Sequence, residues 1–273
     1  MSKRYSAIVG NVALTLVAFM PKWLRVATLA RASARLVPRV PVDTARGRLV
    51  FYTPSKTAVY WPREAFQAEP ETIRWIDSFP EGAVFWDIGA NVGCYSLYAG
   101  LREDMRVLSF EPNPYTFNCL VNNIHLNRLD ARVSGFCIAV ADKPGIDGFY
   151  MESHEAGSVG NSFADPSTST VKDCGTSSFV AAMGLSIDAL VDTMGVPFPT
   201  HLKIDVDGIE DRIIAGGTKV LGDPRLRSVL VEVATGTEDL DRRAAAIFAK
   251  MKECGFTVDP NHGAGSINRL FVR

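Results

Sequence analysis

Two acidic blocks of the chain stand where chemistry could occur. The first is Val84-Phe85-Trp86-Asp87-Ile88-Gly89-Ala90-Asn91-Val92-Gly93, an apolar run that ends in a carboxylate and enters a glycine-framed turn. Glycines so placed let the backbone approach a ligand where a Cβ would collide, and the helix expected over 94–100 points its unpaired N–H groups the same way. A second apolar run over 105–110 ends in Glu111, 22 positions after Gly89. That interval lets an acid reach both hydroxyls of a ribose. Asp87 then selects among nucleosides. A pyrophosphate at the helix N-terminus would be repelled by it, whereas a ribose-bearing ligand with an ammonium group and no phosphate fits. S-adenosylmethionine is such a ligand, and the turn Asp87, Gly89, Asn91, Gly93 with Glu111 is its expected site.

The second block is His201-Leu202-Lys203-Ile204-Asp205-Val206-Asp207-Gly208-Ile209-Glu210. On a strand, His201, Lys203, Asp205 and Asp207 share one face while regular geometry lasts. Four ionisable groups in a row on a central strand are expensive unless they pair or serve a site. One reading is a Lys–Asp ion pair followed by a helix cap at Asp207. The other puts Asp205 and Asp207 at the carboxyl end of the strand, where open α/β sheets bind ligands. Methyl transfer from S-adenosylmethionine needs orientation and a dry site, and an acceptor that must lose a proton also needs one general base, which contributes about 10²–10⁴-fold. Asp205 and Asp207 are the leading candidates, with Lys203 holding the carboxylates or the acceptor oxygen and His201 and His154 as fallback bases. Asp205, Asp207, Glu210 and Glu232 could instead gather round a divalent cation, but no metal is expected.

Alternating strands and helices must position these blocks. Residues 49–52 and 58–61 read as short strands, and Glu69-Pro70-Glu71-Thr72 opens a helix with proline at its first turn. A helix over 113–126, a strand over 131–140 and another over 148–151 follow. A helix over 185–191, a strand over 202–206, a helix over 210–216, a strand over 227–233, an amphipathic helix over 240–254 and two final strands complete the pattern. This alternation predicts an α/β fold with a parallel sheet. Residues 152–178 lack an apolar period, and a stretch that long in a packed domain is the expected substrate loop.

The 273 residues suit one domain, 49–273, with an N-terminal arm over 1–48. The overall charge of −1 hides an asymmetry: the arm carries nine basic residues and one acid, leaving the body at −9. An acidic body argues against nucleic acid as partner. The basic arm, with its apolar run over 7–20, reads either as peripheral contact of residues 1–40 with an anionic membrane or as a helix packed on another protein. Fourteen apolar-run residues fall short of the roughly 18 or more needed to span a bilayer. Five widely spaced cysteines form neither a disulfide framework nor a zinc pattern, which fits the reducing cytoplasm, and Cys94, Cys119 and Cys137 read as core residues. Nothing in the pattern sets an oligomeric state.

Three blocks resemble the FkbM-type methyltransferases, a branch of the class I S-adenosylmethionine-dependent enzymes. They are Glu69–Thr72 with Trp75-Ile76 ahead of the Asp87 turn; Ser109-Phe110-Glu111-Pro112 with Asn122-Asn123 and Asn127; and Leu202 to Glu210. The resemblance covers about 60–235, and Asp207 departs from it, the family more often having Glu there. It implies a Rossmann-like, seven-stranded sheet and O-methylation of a sugar, glycan, glycolipid or polyketide-type hydroxyl. It also implies that Asp87, Gly89, Asn91 and Gly93 form the donor turn, that Glu111 holds the ribose, and that Asp205 lies near the reacting methyl group. A nicotinamide-dependent oxidoreductase or a catalytically silent partner protein would use the same architecture.

Overall fold

Pro21 divides the N-terminal arm into two helices, α1 (Ser2–Ala18) and α2 (Lys22–Leu36), because its fixed φ and missing N–H cannot continue the first. The computed structural model describes residues 2–165, 178–263 and 266–273. Its chain separates into two units, 1–39 and 40–273, so residues 40–48 fall in the larger one.

In the larger unit β1 (Arg39–Thr44) and β2 (Gly47–Tyr52) form a two-stranded sheet, followed by α3 (Lys56–Ala68) and α4 (Pro70–Asp77). Strand and helix then alternate through β3 (Val84–Ile88), α5 (Cys94–Gly100), β4 (Arg106–Phe110), α6 (Pro114–Leu126) and β5 (Val133–Phe136). A second sheet is built from β6 (Ala139–Val140), β7 (Gly145–Met151), β8 (Ser162–Phe163) and β9 (Ser178–Leu185). The chain returns through α7 (Ile187–Asp192), β10 (His201–Ile204), α8 (Glu210–Ala215), α9 (Thr218–Gly222), β11 (Ser228–Glu232), α10 (Glu238–Glu253), β12 (Thr257–Val258) and β13 (Asn268–Val272).

The main sheet has seven strands in the order β12-β13-β11-β10-β3-β4-β5, a Rossmann-like arrangement. β3, β4, β5, β10 and β11 run parallel, and β13 is antiparallel to both β11 and β12. From β3 the chain winds outward to β5, then returns to β10 on the other side of β3. That reversal opens a crevice at the carboxyl ends of β3 and β10. Trp86, Ile88, Leu202 and Ile204 pack on one face, whereas Phe85, Val107 and Leu230 pack on the other. Asp87 and Lys203, paired in register, alternate onto the second face.

Several local expectations change. Residues 58–61 are helical: Ser55 Oγ accepts a hydrogen bond from the Ala58 N–H at 2.9 Å, and Ala58, Pro62 and Ala65 are buried at helical intervals. The expected strand over 131–140 divides into β5 and β6, which belong to different sheets. Cys137 lies in the connector between them and is exposed rather than core. Leu185 ends β9, and Ser186 caps the helix that starts at Ile187. The expected loop over 152–178 contains β8 and the start of β9; its residues 166–177 lie outside those described.

Candidate active site

Strand register brings the acidic blocks together. Ile88 pairs with Phe110 on one side and Ile204 on the other, and Ile204 pairs with Val231. Gly89, Glu111 and Asp205, the residues that follow these strands, and Glu232, the last residue of β11, therefore stand side by side at the sheet's edge. With Asn91, Tyr95, Lys203, Asp207, Trp61 and Glu69 they line a cavity of about 270 Å³, close to the lower end of the roughly 300–1,000 Å³ of small-molecule sites.

The turn after β3 uses left-handed backbone at Gly89 (φ 83°), Asn91 (φ 49°) and Gly93 (φ 93°). Packing within the protein requires glycine at two of these positions. A Cβ on Gly89 would stand 1.7 Å from the Asp205 carbonyl oxygen, and one on Gly93 would stand 2.5 Å from Leu120 Cδ1 and 2.6 Å from Leu97 Cδ1. The protein's own packing takes that space. Asn91 Oδ1 accepts from the Val92 N–H at 2.7 Å, and its own N–H donates to Glu111 Oε2 at 2.9 Å.

Glu111 is thereby fixed from two sides, because Asn113 N–H donates to its other oxygen at 2.9 Å. Burial pushes its carboxyl up to about 7, the two backbone N–H groups oppose this, and the Asp207 and Asp87 carboxylates reinforce it. Among the described residues no cation pairs with it, so additional hydroxyl donors would stabilise its ionised form.

Asp87 and Gly93 do not line the cavity. Asp87 is 1% exposed. Its Oδ2 accepts from Ser96 Oγ at 2.6 Å, Ser96 Oγ accepts in turn from Ser109 Oγ at 2.7 Å, and Oδ1 has no hydrogen-bond partner. Burial raises its pKa, and the Lys203 ammonium opposes the rise.

Lys203, 2% exposed, donates to Asp205 Oδ2 at 2.5 Å and sits 5.0 Å from the Tyr95 ring centroid. Burial alone would lower its pKa, but the carboxylates of Asp205, Asp87 and Glu69 together raise it. It stays cationic and cannot serve as a base.

Asp207 has φ 62°, and its Oδ2 accepts from Gly160 N–H at 2.8 Å. Burial and the neighbouring Asp205 push its carboxyl up to about 6. Glu210 folds back to accept from the N–H groups of Val206 (3.2 Å) and Gly208 (3.1 Å), and burial pushes it up to about 7. Burial and three carboxylates, Asp205, Glu210 and Asp207, push Glu232 up to about 9, so it carries a proton at neutral pH. Among the described residues no three of His, Cys, Asp and Glu form a group able to hold a metal ion.

Both fallback bases stand elsewhere. His201 lies at the opposite end of β10, stacked on Phe79 at 3.9 Å with Nδ1 2.7 Å from Ser228 Oγ, and burial pushes it down to about 4. His154 stacks on Tyr115 at 5.1 Å. Neither lines the cavity.

Sequence reasoning missed Trp61 and Tyr95, and it gave Glu69 no part in the site. The signal for Glu69 was its place at the head of α4, which faces it into the cavity where α3 ends. Tyr95 gave none, being one of several aromatic residues near a helix start. Asn123 and Asn127, by contrast, serve the scaffold: their side chains clamp β2 through Val50 and Tyr52, and Asn123 Nδ2 donates to the Val92 carbonyl at 2.8 Å. The described part of the expected substrate loop reaches the cavity with Ser158, Val159 and Asn161. Trp61 Nε1 ties it to α3 by donating to the Gly157 carbonyl at 2.8 Å.

The methyltransferase FkbM domain model matches residues 87–258, more than half of the chain, from Asp87 to the end of β12. The chain belongs to this family. It is 28% identical over 262 residues to the 31-O-demethyl-FK506 methyltransferase FkbM of Streptomyces tacrolimicus, covering 85% of this chain and 97% of that protein. To the hexuronic acid methyltransferase AglP of Haloferax volcanii it is 26% identical over 191 residues, 70% of this chain and 72% of the relative. A crystal structure of methyltransferase FkbM from Methylobacillus flagellatus superimposes with a TM-score of 0.47 at 15% identity, over 71% of this chain and 44% of that one. The family makes the protein a methyltransferase.

Proposed function

We propose that the protein is an S-adenosylmethionine-dependent O-methyltransferase acting on a hydroxyl of a sugar, glycan, glycolipid or related secondary metabolite, in the cytoplasm. The observation that carries this reading is one cavity joining Glu111 and the Asn91 turn to Asp205, Asp207 and Lys203. The residues fit the donor. Glu111 offers a buried carboxylate held by two backbone N–H groups, suited to two ribose hydroxyls. Around it the cavity holds the carboxyls of Glu69, Glu111, Asp205 and Asp207 against the single cation Lys203, with Glu232 protonated, an environment that favours a cationic ligand. Bound there, the donor supplies an activated methyl group on a sulfonium centre.

This chain's residues then orient the acceptor and take its proton. Asp207 suits the base, since a carboxyl near 6 is ionised at neutral pH yet basic enough to accept a hydroxyl proton. Lys203 holds Asp205 as a fixed carboxylate beside it. The same charge balance favours a neutral polyhydroxylated acceptor over an anionic one, although one relative is named for hexuronic acid. Incubation with methyl-labelled donor and fractionated glycans and glycolipids, read by mass spectrometry, tests the proposal. Transfer of label to a hydroxyl supports it, whereas thermal stabilisation by NAD and not by S-adenosylmethionine would replace it with an oxidoreductase.

A further inference from the structure

The arm presents an apolar helix to water. From Ser6 to Phe19 the sequence has no charged residue, and Ile8, Val9, Val12, Leu14 and Leu16 are each more than half exposed, four of them on one face of α1. Thr15 satisfies its own hydroxyl internally, donating to the Asn11 carbonyl at 2.8 Å. An exposed apolar face on an uncharged helix belongs against other protein or against lipid. At the turn into α2 stand Phe19, 91% exposed, and Trp23, 76% exposed, with Lys22 between them. Arg25 fastens this turn by donating to the carbonyls of Ala18 and Met20.

α2 continues with Arg31 and Arg35 and has no buried residue. No acid occurs anywhere in the chain before Asp43. Exposed aromatic and aliphatic side chains interleaved with purely basic ones match the interface of an anionic bilayer, where the apolar groups enter the acyl boundary and the cations meet the headgroups. No helix among the described residues is long and apolar enough to cross a membrane.

We infer that residues 6–35 form a monotopic anchor that docks on anionic phospholipid, with Phe19 and Trp23 entering the acyl boundary. A second copy of this chain would bury the apolar face equally well but would bring Lys22, Arg25, Arg31 and Arg35 toward their own kind, which charge repulsion disfavours. The anchor is independent of the reaction proposed for the cavity.

Sedimentation of the full chain with phosphatidylcholine vesicles, with and without one-third phosphatidylglycerol, tests the inference. The protein is expected to pellet with the anionic vesicles, to be released in part by high salt, and to bind the neutral ones weakly. Phe19→Asp with Trp23→Asp should abolish pelleting, and Arg31→Ala or Arg35→Ala should weaken it about fivefold each, taking about 1 kcal/mol per basic residue near the surface. These variants should bind S-adenosylhomocysteine like the parent, which shows that they fold. Failure of the parent chain to bind anionic vesicles, or full binding by the double variant, would overturn the inference. So would an oligomer in ultracentrifugation that the double variant dissolves while the parent ignores vesicles, which would assign the face to a second copy.

Discussion

The Lys203 ammonium, 2.5 Å from Asp205 Oδ2, is the one cation lining the cavity among the described residues. It faces Asp87 across the β3–β10 register as well. Removing it leaves buried carboxylates uncompensated. Lys203→Met should therefore cost about 3–5 kcal/mol of stability, measured by urea unfolding, with most of the loss recovered at low pH where those carboxyls are protonated. A near-neutral effect at pH 8 would show that the pair is dispensable.

The pH dependence of the ligand-free protein follows from four carboxyls. Glu111, Glu210 and Glu232 rise from 4.5 to about 7, 7 and 9, and Asp207 rises from 3.8 to about 6. The folded state thus binds more protons than the unfolded one between these limits. Their contribution to stability is fully present below about pH 4 and is lost as pH rises through 6 to 9. Asp104 and Asp223, lowered to about 2 by their arginine partners, act in the opposite sense but only at acid pH. The melting temperature should fall from pH 5.5 to 9, and Glu232→Gln should flatten the upper part of that fall. A melting temperature that climbs over this range would contradict the assignment.

Asp207→Asn tests the base. Asparagine tolerates left-handed backbone, so the substitution removes charge without disturbing φ 62°. Turnover should drop by about 10²–10⁴-fold with donor affinity unchanged, and the rise of activity through pH 6 should vanish. Asp205→Asn should also slow turnover but keep that rise, because its role is to hold charge beside the base. Normal turnover by Asp207→Asn would remove it from the chemistry.

Gly89→Ala places a methyl group against the Asp205 carbonyl, at a spacing neither backbone can relieve cheaply. Left-handed strain adds to the overpacking. The expected destabilisation is about 3 kcal/mol or more by chemical denaturation, accompanied by loss of donor binding. A stable, active variant would show that the two strand tips can part.

Legibility followed sequence distance. The Asp87 turn, the helix expected over 113–126 and the proline start of α4 are local signals, and the structure places those elements within a residue or two of the expected limits. The Ala-Val-Tyr-Trp run over 58–61 looked like a strand because aromatic and β-branched residues favour one, yet the Ser55 cap outweighed that preference. The approach of Glu232 to Asp205 arises from pairing of β10 with β11, and pairings between separated segments leave no mark in either strand alone. For the same reason the four-stranded sheet escaped notice, since β9 recruits β6 and β7 from about forty residues upstream. At Gly89 and Gly93 the packing of the protein itself already requires glycine. What excludes a Cβ at Gly89 is the Asp205 carbonyl just past the end of β10, a contact between segments more than a hundred residues apart.

A crystal structure with S-adenosylhomocysteine tests the central claim most directly. The account predicts the adenosine between the tips of β3 and β4, both ribose hydroxyls on Glu111, and the sulfur facing Asp207. Product bound elsewhere, or Glu111 left without ribose contact, would contradict it.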